Sequence, residues 1–85
     1  MSAYRVDWDA VAEAQLARIW MAALEPATIT SNQAEVDRLL SRDPFQHGRH
    51  LSEGLYRIQV GSLLINFTVA VDTHIVNVTW VRPSA

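Results

Sequence analysis

Cysteine and lysine are both absent from the 85 residues. Without cysteine the chain can form neither a disulfide nor a thiolate metal site. Without lysine all seven basic residues are arginine, which supplies fixed charge and planar hydrogen bonding but is a poor general base. Long apolar runs are missing too, and none approaches the length of a membrane span. The opening residues Met1-Ser2-Ala3-Tyr4-Arg5 lack the apolar core of a signal peptide and pass straight into an alternating pattern. The expectation is a cytoplasmic protein with no membrane partner. There is no internal repeat, low-complexity tract or long linker.

What is present fits one compact unit, residues 1–85. Hydrophobic residues make up 49%, enough for a packed core and too many for a disordered chain. Net charge is −2, which argues against a strongly electrostatic nucleic-acid binder. The charge is unevenly spread. Residues 1–43 hold four Arg against seven acids, whereas residues 44–85 hold three Arg against two acids, together with all three histidines. The second half is the better seat for an anionic ligand.

Periodicity supplies the elements. Tyr4, Val6 and Trp8 alternate with Arg5 and Asp7, a half-buried strand over 3–8. Asp9 can cap the helix that follows. Leu16, Ile19, Trp20 and Ala23 recur at helical spacing on it, and Pro26 is expected to stop it. Thr28 or Thr30 is a candidate cap for a second helix with Ile29, Val36, Leu39 and Leu40 on its apolar face. Asp43-Pro44 ends that helix, and 43–53 reads as a loop. Tyr56, Ile58 and Val60 then alternate with Arg57 and Gln59. Gly61-Ser62 suits a two-residue hairpin turn. Leu63, Ile65, Phe67, Val69 and Val71 share one face of the next strand. After a turn at Asp72-Thr73-His74, Val76, Val78 and Trp80 oppose Asn77 and Thr79.

These patterns predict an α+β fold with one four-stranded, largely antiparallel sheet and two helices on one face. The expected core is Trp8, Ile19, Trp20, Val36, Leu40, Ile58, Phe67, Val69 and Val78. The other sheet face then carries Arg5, Asp7, Arg57, Gln59, Asn66, Thr68, Asn77 and Thr79, polar and uncovered, where an extended ligand could lie.

The order strand, two helices, three strands resembles the RelE/ParE toxin superfamily, the toxin half of bacterial type II toxin–antitoxin modules. The likeness spans nearly the whole chain. It is carried by YRVDW at the start, RLLSRDP before the loop, EGLYRIQV and INFTVAVD as strands, and IVNVTWVR at the end. The resemblance implies a β-α-α-β-β-β fold and a cognate antitoxin as partner. It implies one of two targets. The RelE-like branch cleaves mRNA on the ribosome without metal or other cofactor, basic residues gripping the phosphate that a ribose 2′-hydroxyl attacks. The ParE-like branch inhibits DNA gyrase and is not a nuclease.

Carried over by position, Arg57 falls where the family places a basic residue, and Gln59 and Asn66 stand where further basic residues are often found. Arg82 matches the basic residue ending the last strand. The family's C-terminal catalytic Tyr has no counterpart before Ala85. The resemblance thus makes Arg57 and Arg82 candidate catalytic residues. Gln59, Asn66 and the loop residue Arg49 are candidates for substrate binding. The low density of charge on the face keeps a second reading open, a non-catalytic ParE-like or decayed member acting by protein contact.

The remaining residues admit both chemical and ordinary readings. Arg57 could stabilise a pentavalent phosphate by charge-assisted bonds, or simply face solvent. Arg82 has the parity of Trp80, so a regular strand would point it coreward, and only a strand that has ended or bulged would free it. His47 and His50, three apart beside Arg49, offer a general acid, with His50 the candidate. Their metal reading lacks a third ligand unless His74 or an acid joins them. Trp8, Trp20 and Trp80 follow the apolar register of their elements and are expected in the core rather than stacked on bases.

Overall fold

The computed structural model describes residues 3–84. The elements run β1 (Arg5–Trp8), α1 (Ala10–Ala22), α2 (Pro26–Arg42), a one-turn α3 (Pro44–His47), β2 (Arg49–Ser52), β3 (Leu55–Val60), β4 (Leu63–Ala70) and β5 (Ile75–Pro83). All strands join one sheet in the order β1-β5-β4-β3-β2. β1 lies parallel to β5, and each other neighbouring pair is antiparallel. α1 packs on β5 while α2 packs on β1, β3 and β4, so both long helices cover one face.

The expected architecture stands with one correction: the sheet has five strands, not four. Segment 43–53, expected as a loop, holds α3 and the edge strand β2. Asp43-Pro44 does end α2, but the same pair opens α3: the Asp43 carboxylate accepts from Gln46 N at 3.1 Å, and Pro44 fills the first helical position. β2 is four residues long, all exposed, and R-H-L-S shows no apolar alternation, so no period-2 signal marks it.

The helix boundaries also move. Asp9 caps α1 as expected, accepting from Ala12 N at 2.8 Å. α1 then ends at Ala22, before Pro26 is reached. Pro26 instead starts α2, where its missing N–H costs nothing. Thr28 and Thr30 lie inside α2 rather than capping it.

Ala12, Leu16, Ile29, Val36 and Leu40 from the helices meet Ile58, Leu63, Ile65, Phe67, Val76, Val78 and Val81 from the sheet in one core. Trp8, Ile19 and Val69 pack at its margin, half-buried. Trp20 departs from expectation. It sits one residue further round α1 than Ile19, is 47% exposed, and its Nε1 donates to Thr30 Oγ1 at 3.3 Å. Trp8 reaches across to α2, donating from Nε1 to Asp37 Oδ1 at 2.8 Å. Burial raises the Asp37 carboxyl above its ordinary value, partly offset by that hydrogen bond.

The hairpin turn between β3 and β4 is Gly61-Ser62, as read from the sequence. Gly61 has φ +56°, a left-handed conformation that favours glycine, and a Cβ there would press on the tip of the Asn32 side chain, 2.5 Å away. Asn32 in turn donates to Ser62 Oγ at 3.0 Å, pinning the turn to α2. At the opposite end of the sheet, the His74 ring stacks on Tyr4 with centroids 4.9 Å apart.

Candidate functional site

The face away from the helices is built by strand parity. Register places Arg49 opposite Arg57, Arg57 opposite Asn66, and Asn66 opposite Trp80. These four form one row across β2, β3, β4 and β5, spanning about 14 Å at ordinary strand spacing. The next row is Gln59, Leu64 and Arg82. The substrate-binding and arginine candidates thus come together: Arg49, Arg57, Gln59, Asn66 and Arg82 share the open face.

One irregularity makes this possible. β5 pairs Phe67 with Val78 but Asn66 with Trp80, leaving Thr79 as an extra residue. Such a bulge puts two residues against one and resets the alternation beyond it. Val76 and Val78 face the core before the bulge, and Val81, 2% exposed, faces it afterwards. Trp80 and Arg82 are thereby turned onto the open face. The expectation that Trp80 joins the core is corrected by this single inserted residue. Arg82 is freed by the bulge, not by the end of the strand, which continues to Pro83.

Beyond Val78 there is no β1 residue left to pair with β5. Gln15 of α1 fills the vacant position, its Oε1 accepting from Val81 N at 2.7 Å. The register downstream of the bulge is therefore held from the helix side.

On the open face, Arg57 Nε donates to Asn66 Oδ1 at 2.9 Å. The Arg57 guanidinium carbon lies over the Trp80 ring, 5.5 Å from its centroid, and that of Arg82 lies over the same ring at 4.9 Å. Both distances fall in the range of cation–π attraction. Among the described residues, no carboxylate forms an ion pair with Arg49, Arg57 or Arg82; the ion pairs present are Arg5–Asp7 and Arg38–Glu35. A cleft of about 350 Å³ opens beside the row, lined by His47, Arg49, Arg57, Ile58, Gln59 and Leu64. Its positive charge is not neutralised from within the described chain, which suits an anion.

His50 is set apart. It pairs with Tyr56 across β2 and β3, and its ring tilts against the Tyr56 ring at 5.2 Å, on the side where Tyr56 stacks on Phe67. The structure does not bring it to Arg57 and Arg82. His47, at the end of α3, is the histidine that borders the cleft. The H-x-x-H spacing could not reveal this, because α3 ends and β2 begins between the two residues. His74 is remote, against Tyr4. Among the described residues, no three His, Asp or Glu side chains stand close enough together to hold a metal ion. Among the described residues, no helix is long and apolar enough to cross a membrane.

No family-wide sequence profile matches the chain. No curated protein sequence matches it either. Solved structures do. The toxin–antitoxin complex RelBE2 from Mycobacterium tuberculosis superposes with a TM-score of 0.83 at 20% identity, covering 100% of this chain and 95% of that one. The ParDE toxin–antitoxin system of P. aeruginosa gives 0.73 at 15% identity, covering 98% of each chain. The archaeal RelE–RelB complex from Pyrococcus horikoshii gives 0.68 at 19% identity, covering 95% and 94%. The described chain thus has the fold shared by these RelBE2, RelE–RelB and ParDE toxin–antitoxin structures.

Proposed function

We propose that this chain, as a single domain over residues 1–85, is the toxin of a type II toxin–antitoxin module and that it cleaves ribosome-bound mRNA. The observation that carries the nuclease reading is the convergence of Arg49, Arg57 and Arg82 on the open sheet face without a carboxylate partner among the described residues. In the proposed reaction the ribose 2′-hydroxyl gives up its proton to solvent as its oxygen attacks the adjacent phosphorus, and the bond to the 5′-oxygen breaks, leaving a 2′,3′-cyclic phosphate. Arg57 and Arg82 hold the non-bridging oxygens, where charge builds in the transition state. His47 at the cleft margin supplies the proton to the departing 5′-oxygen.

A cognate antitoxin is the expected partner. Two of the structures that share this fold are the RelBE2 and RelE–RelB complexes, and the third belongs to the ParDE toxin–antitoxin system. Trp20, Met21 and Leu24, exposed at the corner of α1 and α2, offer apolar surface to such a chain. Co-expression with the neighbouring gene should give one complex in size-exclusion chromatography.

The decisive experiment is induced expression in a bacterial host with primer extension on a reporter mRNA. The wild type should arrest growth and leave discrete cleavages. Replacing either Arg57 or Arg82 by Ala should lower the cleavage rate by two to three orders, about 3–4 kcal/mol of transition-state stabilisation. Cleavage that survives both changes would refute the site. A second reading, a ParE-like toxin acting on gyrase by contact alone, is favoured by Asn66 and Gln59, neutral members of the two rows that hold the arginines. Growth arrest with intact mRNA and inhibited supercoiling would select it.

A further inference from the structure

The open face holds two guanidiniums against one indole. Arg57 and Arg82 are like charges drawn to a common ring, with no described carboxylate between them. The negative face of the indole offsets part of that repulsion. It also removes much of the rotamer freedom of two long side chains before any ligand arrives. Asn66 adds a second constraint. By accepting from Nε, its Oδ1 occupies one edge of the Arg57 guanidinium. The terminal nitrogens of Arg57 donate to no described residue, and Arg82 makes no side-chain hydrogen bond to one. The free end of each guanidinium is the edge that matches two oxygens of a phosphate.

We propose that Trp80 and Asn66 are positioning residues that hold Arg57 and Arg82 as a two-guanidinium clamp for one phosphodiester. The proposal rests on the nucleic-acid reading given above, and it assigns work to two side chains that carry no charge. Trp80 acts here as a support for arginine, not as a platform for a base. Its place depends on the bulge at Thr79, which turns the indole from the core to the open face. Asn66 fixes which edge of Arg57 is presented. A basic side chain at Asn66 would add charge but would lose the acceptor that orients Arg57.

The test uses dimethyl phosphate, the smallest phosphodiester, titrated into the whole protein and followed by nitrogen–proton correlation spectra. In the wild type, the Nε–H signals of Arg57 and Arg82 and the Trp80 indole signal should move together with one apparent dissociation constant. Trp80→Leu should weaken that constant by about tenfold and separate the two arginine responses. Trp80→Phe should restore most of the loss, since a ring face returns. Asn66→Asp should weaken binding at least as much, by placing a carboxylate against Arg57. Both positions lie outside the core, and unchanged thermal unfolding would show that the fold is kept. Equal affinity in the wild type, Trp80→Leu and Asn66→Asp would overturn the clamp, as would arginine signals that respond independently in the wild type. A 2′-O-methyl RNA pentanucleotide, titrated separately, distinguishes the two levels of inference. If the clamp takes dimethyl phosphate but the protein ignores the RNA, the clamp stands and the nuclease reading falls.

Discussion

Gln15 on α1 accepts a 2.7 Å hydrogen bond from the backbone N–H of Val81, three positions beyond the last β5 residue that β1 can pair. Val81 is in the core, so this donor has no route to water. Gln15→Leu keeps the bulk but orphans a buried N–H, and should cost about 1–3 kcal/mol of stability. Urea denaturation would read it as a lower midpoint at constant slope. Because Val81 anchors the strand between Trp80 and Arg82, the same variant should broaden the signals of those two residues.

A second prediction concerns acid. Asp37 is pushed above its ordinary value of 3.8, burial being the main cause. The folded state therefore holds this proton more tightly than the unfolded chain does. Its contribution is most favourable below pH 3.8 and is lost as pH rises through the elevated folded value. Asp37→Asn keeps an oxygen for the Trp8 indole but never ionises. It should be at least as stable as the wild type at pH 7, and it should flatten this part of the stability–pH curve. A wild-type curve that rises with pH across that interval faster than the variant's would contradict the assignment.

Gly48 joins α3 to β2, and its φ of −91° is open to any residue. The constraint there is space. A methyl group would overlap the Phe67 ring and stand 2.8 Å from the Pro44 carbonyl oxygen. Phe67 is fully buried and cannot yield. Gly48→Ala should cost about 1–3 kcal/mol, as overpacking does, measured by thermal unfolding. Since His47 and Arg49 flank it, RNA cleavage should fall further than the lost stability explains.

Arg49 and Arg5 give a matched pair of exposed arginines. Arg49 lies in the row with Arg57, whereas Arg5 is paired with Asp7 at 2.8 Å near the far edge of the sheet. If RNA phosphates follow the cleft, Arg49→Ala should reduce the salt dependence of RNA binding by about 0.7 in log–log slope. Arg5→Ala should leave that slope unchanged. Fluorescence anisotropy over a series of salt concentrations measures both.

What the sequence disclosed depended on how widely each signal was spread. Leu63, Ile65 and Phe67 alternate strictly because β4 is covered on one face only, so a long strand repeats its message several times. Asp9 and Gly61 announce themselves because capping and a positive φ each demand a small set of residues. β2 has only four residues and no apolar face, so nothing in it repeats. The Trp80 error has a different origin. Trp80 does continue the register of Val76 and Val78 in sequence, and only the pairing with β4 shows that one residue drops out of step. Arg57 was legible from strand parity. The indole that holds it was not, because its direction is decided by a neighbour distant in the chain.

The bulge also governs what insertions and deletions can do to this protein. Removing Thr79 alone would close the ladder without shifting it, since Val78 and Trp80 already pair with the adjacent residues Phe67 and Asn66. Straightening β5 with Thr79 kept would do the opposite. Thr79 would stand opposite Asn66, Val81 would point to solvent, and Trp80 and Arg82 would face the interior, where a buried unpaired guanidinium is among the costliest errors a core can contain. A β5 of this length keeps Val81 buried and its arginine on the open face by leaving one residue unpaired. The pairing register of β5, as much as the identity of its residues, is part of what specifies the site.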